Sequence, residues 1–277
     1  MKITDDLVLS LTRKTRENRQ KLTDVLYKTG GGHFGGSLSC MEILTVLYHA
    51  VLKIDPKNPG WEERDFFVLS KGHANAGFST VLASRGFFEE EKLYSFNVGG
   101  SDFGMHPTAG IPGVEIPTGS LGHGLSIGVG VALMLKLEKR PSRVFVLVGD
   151  GELHEGQIWE AAQAAANWTL DNLVAIVDRN RLSMDGPTEG FTIALEPVPD
   201  KWRSFNWAAK SVDGHDVRGL LGAFQSVPFQ PGRPSVMIAN TTKGKGISFM
   251  ENQYQWHYGK LTDEFYKKAM EELSGIE

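Results

Sequence analysis

The chain has 277 residues, 41% hydrophobic and 22% charged, with a net charge of −4; that length buries a sizeable core and suits one large α/β domain. No basic excess points to nucleic acid or a membrane surface, and no apolar run approaches the roughly 20 residues of a membrane span. A single cysteine, Cys40, cannot pair within the chain, and the charged N-terminus lacks a signal peptide's apolar stretch, so the expected location is cytoplasmic.

In chain order, "LVLSLTRKTRENRQKLTDVLYKTGGGH" predicts a long helix with apolar residues at i, i+3/i+4, stopped by Gly30 to Gly32. "SLSCMEILTVLYHAVL" predicts a second amphipathic helix with Ser37 or Ser39 as N-cap. "RDFFVLSKGH" reads as a buried strand delivering a loop, with a helix from about Ala74 to Ser84. Glycines and prolines make 97–113 a loop. "TGSLGHGLSIGVGVALMLKLEKR" is a glycine-rich turn leading into an apolar helix. A βαβ unit follows: "VFVLVGDG", a helix across "GQIWEAAQAAANW", and "NLVAIVDRN". The prolines in 187–205 predict irregular structure; a strand "SVMIAN" and a capped helix from Thr262 come last. Near-continuous apolar strands separated by helices predict a doubly wound, mostly parallel sheet with helices on both faces, one domain over 1–277.

In an open parallel sheet, ligands bind beyond the carboxyl ends of the strands. Asp150 sits at that end of one strand and Asn180 at the same end of the next. A right-handed crossover makes the two strands parallel, so both side chains reach one edge. A carboxylate and an amide oxygen are hard ligands, and so sparse a set suits Mg²⁺, which keeps waters and recruits phosphates. Gly149 and Gly151 allow an anion close to the backbone, and the next helix offers it free N–H groups. Alone, "GDG" is more simply a tight turn whose aspartate caps the next helix; the paired Asn180 favours the metal.

With these residues the chain resembles the transketolase family of thiamine diphosphate enzymes. The resemblance is carried by "GGHFGGSLSCMEIL", "DFFVLSKGHANAG", "GMHPTAGIPGVEIPTGSLGHGLSIGVG", "GDGELHEGQIWEAA" and "DRNRLSMDG", in the family's order across nearly the whole chain. It is similar to the shorter, split form, in which this half is a separate subunit. The resemblance implies that Asp150, Asn180 and the Leu182 carbonyl hold Mg²⁺ (or Ca²⁺) against the diphosphate. Gly151 would give that diphosphate an amide, Met184 would pack on the cofactor rings, and Gly119 and Leu121 would line the aminopyrimidine side. His73 is assigned to the diphosphate side, His33 and His106 to the ketol fragment and proton transfer. Glu155 and Glu160 match interface glutamates that couple two sites, although glutamates early in a helix are also ordinary surface residues. His257 in "QWHYG" is a further candidate, with Tyr254 competing. The sequence departs from the common pattern at His123, where glutamine is frequent, and at Phe34, where proline is.

The resemblance also implies a missing part. In this family a carboxylate from a second, pyrimidine-binding domain activates the cofactor, and the residues after Asn180 are too few to form it. The expected partner is therefore a C-terminal transketolase subunit in an α₂β₂ assembly, acting on a sugar phosphate or related ketose. Other thiamine diphosphate enzymes (a deoxyxylulose-phosphate synthase, the E1 α chain of a 2-oxo acid dehydrogenase) share the metal motif, but "TGSLGHG" and "SKGHANAG" fit transketolase better. A pseudoenzyme would keep the same fold.

Overall fold

The computed structural model describes residues 2–190 and 193–275. Helix α1 (Asp5–Lys28) starts where the Thr4 hydroxyl accepts the Leu7 N–H, with Asp5 and Asp6 in the first turn, where the helix dipole favours acids. It ends at Gly30 and Gly31, whose φ values of 88° and 110° fall in the left-handed region.

The second expected helix is broken. It runs as α2 (Phe34–Ser39) and α3 (Met41–Val46), followed by a wide turn at Leu47–Val51. Ser37 and Ser39 lie inside α2 and cap nothing; the Ser39 hydroxyl instead donates to buried Asp178 at 2.5 Å. That bond pulls the helix onto the sheet, and the chain kinks at Cys40.

Strands β1 (Phe66–Leu69), β2 (Val144–Gly149), β3 (Leu173–Arg179), β4 (Ala208–Asp213) and β5 (Ser235–Asn240) form one parallel sheet in the order β1-β2-β3-β5-β4. Alternate residues serve the two faces. Phe145, Leu147, Val174 and Ile176 join one core with α1, α3, α4 (Asn75–Arg85), α8 (Val217–Gln225) and α9 (Asp263–Gly275). Val144, Val146, Ala175 and Val177 join the other with α5 (His123–Leu137), α6 (Gly156–Asn167) and α7 (Val198–Ser204). Burial on both faces is why these strands read as continuous apolar runs.

Three elements correct the sequence reading. The stretch 187–205, expected to be irregular, contains α7, because Pro199 lies in its first turn, where a missing N–H costs nothing. Phe191 and Thr192 of that stretch lie outside the described residues. β4 went unread since it is an edge strand with Lys210 and Ser211 exposed, so no apolar run marks it. α8, capped by Asp216 through the Arg218 N–H at 3.0 Å, follows it. Among the described residues, no helix is long and apolar enough to cross a membrane.

Candidate active site

The topology brings the carboxyl ends of four strands, each followed by polar residues, to one side of the sheet. β1 ends in Ser70 and Lys71, β2 in Asp150, β3 in Asn180, and β5 continues through Thr241 and Thr242 to Lys243. A cleft of about 380 Å³ opens there, lined by Lys71, Asp150, Asn180, Leu182, Lys243 and His257 among others. Gly119, Leu121, Gly151, Met184, His73 and His106 also border it.

Asp150 is buried. Its Oδ2 accepts from Arg179 Nη1 at 3.0 Å and from the Arg181 N–H, and its Oδ1 accepts the Gly151 N–H at 2.8 Å. The capping role and the strand-end role therefore coexist, and the Gly151 amide faces the aspartate. Burial raises the Asp150 carboxyl above the usual range, and the charge of Asp178 adds to it against Arg179. Asn180 Oδ1 accepts the Leu182 N–H at 3.1 Å. The Leu182 carbonyl accepts from Lys243 Nζ at 3.0 Å. Among the described residues, no group of three or more His, Cys, Asp or Glu side chains could hold a metal; the expected set contains one such side chain.

Sequence reasoning missed Lys243. Its ammonium meets the carbonyls of Leu182 and Ser183, at 3.0 and 3.2 Å, and His257 Nδ1 at 3.0 Å. Burial pulls its pKa down to about 8, helped by Lys71, while Asp150 and Asp178 oppose. The clue was available: a lysine just past the carboxyl end of a buried strand, in "SVMIANTTKG", is placed by the same logic as Asp150.

Lys71, in the "SKGH" segment, is a second lysine at these strand ends. It is buried, bonded to the Gly36 carbonyl at 2.9 Å and paired with Asp178. Burial opposes its charge, but the Asp178 carboxylate more than offsets this and pushes Lys71 up to about 12. Glu152 was missed as well. It is buried and accepts the Gly122 and Gly149 N–H groups, at 2.8 and 3.0 Å, and the Ser70 hydroxyl, tying the "GSLG" loop to the ends of β1 and β2.

The histidines cluster together, with His73, His106 and His257 lining the cleft and His33 packed against them. His33 lies 5.5 Å from His73, 6.5 Å from His106 and 5.4 Å from His257, centroid to centroid, and His73 lies 4.9 Å from His257. Burial, then the cations around them, lowers His33 to about 4 and His257 to about 3, with His73 also well below its ordinary value. These three imidazoles are neutral at pH 7. His257 Nδ1 accepts from Lys243, which leaves Nε2 as its donor; His33 Nδ1 is buried without a partner. A Cβ on Gly36 would come within 3.0 Å of His73 Nε2, so glycine there makes room for the ring. His257 arrives on a strap fastened by reciprocal 3.0 Å bonds between Gly32 and Gly259. A side chain at Gly31 would strike the Gly259 carbonyl at 2.4 Å. Tyr254, the rival candidate, is 40% exposed and borders another part of the strap.

Glu155 and Glu160 are exposed, the first as N-cap of α6 and the second on it. His123 opens α5 exposed, and Phe34 opens α2 fully buried. Met184 is 63% exposed at the cleft mouth and Leu121 38%.

Residues 12–276 match the family model described as transketolase, thiamine diphosphate binding domain. The chain belongs to that family. It is 42% identical over 267 residues to an apulose-4-phosphate transketolase subunit of Phocaeicola vulgatus, covering 96% of this chain and 95% of the relative. It is 44% identical over 256 residues to a 6-deoxy-6-sulfo-D-fructose transketolase subunit of a Clostridium species, covering 92% and 93%. Among solved structures, transketolase from Leishmania mexicana superposes with a TM-score of 0.88 at 28% identity, over 95% of this chain and 41% of that one. The chain thus spans the length of split-type subunits and about two-fifths of a full-length transketolase. The parallel sheet is the thiamine diphosphate-binding fold of those structures, as the sequence led one to expect.

Proposed function

We propose that this chain is the metal- and diphosphate-holding subunit of a split transketolase, which moves a two-carbon ketol unit from an anionic ketose to an aldose. The observation that carries the proposal is the convergence of Asp150, Asn180, the Leu182 carbonyl and Lys243 on one cleft at adjacent strand ends. The donor chemistry fits the cofactor. A buried carboxylate strained by a neighbouring carboxylate gains from a cation, and oxygen-only ligands suit Mg²⁺ (or Ca²⁺). The Lys243 ammonium complements a diphosphate.

Bound there, thiamine diphosphate supplies the electron sink for making and breaking the carbon–carbon bond. The chain's own residues bind and orient. From within the histidine cluster, His73 would serve the diphosphate, and His33, His106 and His257 the ketol fragment. A neutral His33 can donate to and accept from sugar hydroxyls, and its Nδ1 has no protein partner to give up. Gly119, Leu121 and Met184 would border the rings, and the Gly151 amide, beside Asp150, would serve the diphosphate.

One thiamine diphosphate-binding domain occupies the whole chain, which works in the cytoplasm. The apolar side chains left exposed at the cleft mouth, Leu121 and Met184, suit cover by a pyrimidine-binding partner subunit in an α₂β₂ assembly. Glu155 and Glu160 then face a second subunit. The relatives' names point to an uncommon ketose, phosphorylated or sulfonated; arginines and backbone N–H groups recognise either anion. The test is ketol transfer measured with thiamine diphosphate and Mg²⁺. The expected result is none from this chain alone, transfer on adding the partner subunit, and products from ketose donors but not from pyruvate. Robust transfer by the chain alone, or pyruvate as the donor, contradicts the proposal.

A further inference from the structure

A run of polar contacts, buried at Arg19 and Glu42 and part-buried at His215, crosses the domain from α1 to the loop that carries Lys243. Arg19 Nη2 donates to the Leu38 carbonyl at 3.1 Å and to Glu42 Oε2 at 2.7 Å. The same Glu42 oxygen accepts from His215 Nδ1 at 3.0 Å, and His215 Nε2 accepts the Thr242 N–H at 2.8 Å. An imidazole nitrogen that accepts a main-chain N–H carries no proton, so the network makes His215 the neutral Nδ1–H tautomer. Burial opposes the Glu42 charge, but Arg19 and His215 outweigh it and hold the carboxyl at about 2. Arg19, Glu42 and His215 sit outside the lining of the active-site cleft.

The place where this run ends matters. Thr241 is anchored by its N–H to the Arg179 carbonyl at 3.1 Å and by its hydroxyl to Asp178. Beyond Lys243, the Gly244 N–H bonds the Gly35 carbonyl at 3.1 Å, and the Lys243 carbonyl accepts the Asn252 N–H at 2.9 Å. The Thr242 amide lies between these anchors, immediately before the lysine, and His215 is its partner. Four elements remote in sequence, α1, α3, the β4–α8 turn and the loop after β5, are thus linked by a relay of contacts in which His215 alone touches the Thr242 peptide.

We propose that His215, braced by Glu42 and Arg19, is a positioning residue that fixes the Lys243 ammonium in the cleft and so sets its affinity for a diphosphate. The inference rests on the functional reading above. It assigns a role to residues that never touch the cofactor, in the way that outer contacts orient ligands at other charged sites.

The test is a calorimetric double-mutant cycle on the full chain, with thiamine diphosphate and Mg²⁺ as the probe. His215→Ala is expected to weaken binding about tenfold or more. His215→Gln, whose amide can both accept from Thr242 and donate to Glu42, is expected to recover most of the loss. In a Lys243→Ala background, His215→Ala is expected to add nothing, whereas a purely structural role would weaken both backgrounds alike. If the alanine variant does not fold, His215→Asn, too short to reach Thr242, reports the same Lys243-dependent loss. Unchanged binding in either variant, or equal losses in the two backgrounds, overturns the inference. A wild-type chain that binds no thiamine diphosphate overturns the functional reading, and this inference with it.

Discussion

The two ends of the cleft are built on opposite principles. At the strand-end side, buried charges are matched: Asp150 with Arg179, Lys71 with Asp178, Lys243 with two carbonyls and a histidine. At the histidine side, His33 Nδ1 is buried with no partner, and His33, His73 and His257 are kept neutral. A matched set holds a fixed geometry, which suits an anchor for a metal and a diphosphate. Neutral rings with spare nitrogens suit a region that must exchange hydrogen bonds with a changing substrate. The first end is built for stability; under the proposed function, reactivity would belong to the second.

Breaking the matched end costs most. Lys71 and Asp178 are 1% and 0% exposed, so Lys71→Met strands a carboxylate in the core. The expected loss is about 3–5 kcal/mol in urea unfolding, with part of it recovered by adding Asp178→Leu. A loss near zero for Lys71→Met would mean the matching is decorative.

The histidine end has a smaller, pH-dependent signature. The folded pKa of His33, about 4, lies below the ordinary 6.5, through burial and then the charges of His106, Lys243 and Lys71. Between these values the unfolded chain binds more protons than the folded one. Stability from this group is therefore complete above pH 6.5 and falls as pH drops toward 4. Urea midpoints measured across that range are expected to slope less for His33→Gln than for wild type. Equal slopes would show that His33 is solvated and that the two ends do not differ as described.

The same contrast explains what the sequence disclosed. Asp150 and Asn180 were readable because each ends a buried apolar strand of one βαβ unit, so local pattern and sheet topology agree. Lys243 obeys the same rule, but two threonines separate it from Asn240, and the strand logic was not carried that far. Glu152 drew no reading of its own from the sequence, because nothing local says that its carboxylate turns inward to two backbone amides. His257 depended on long-range pairing of Gly259 with Gly32, which no spacing encodes. β4 and α7 escaped for a different reason: an exposed edge strand lacks an apolar run, and a proline in a first helical turn imitates a loop.

The central claim is that Asp150 anchors a diphosphate through a divalent cation. A calorimetric titration of the chain with thiamine diphosphate, with Mg²⁺ and with a chelator, tests it most directly in wild type and Asp150→Ala. The account predicts binding that requires Mg²⁺ and weakens on the order of a hundredfold or more in the variant, with unfolding still cooperative. Affinity that ignores both the cation and the aspartate would contradict it.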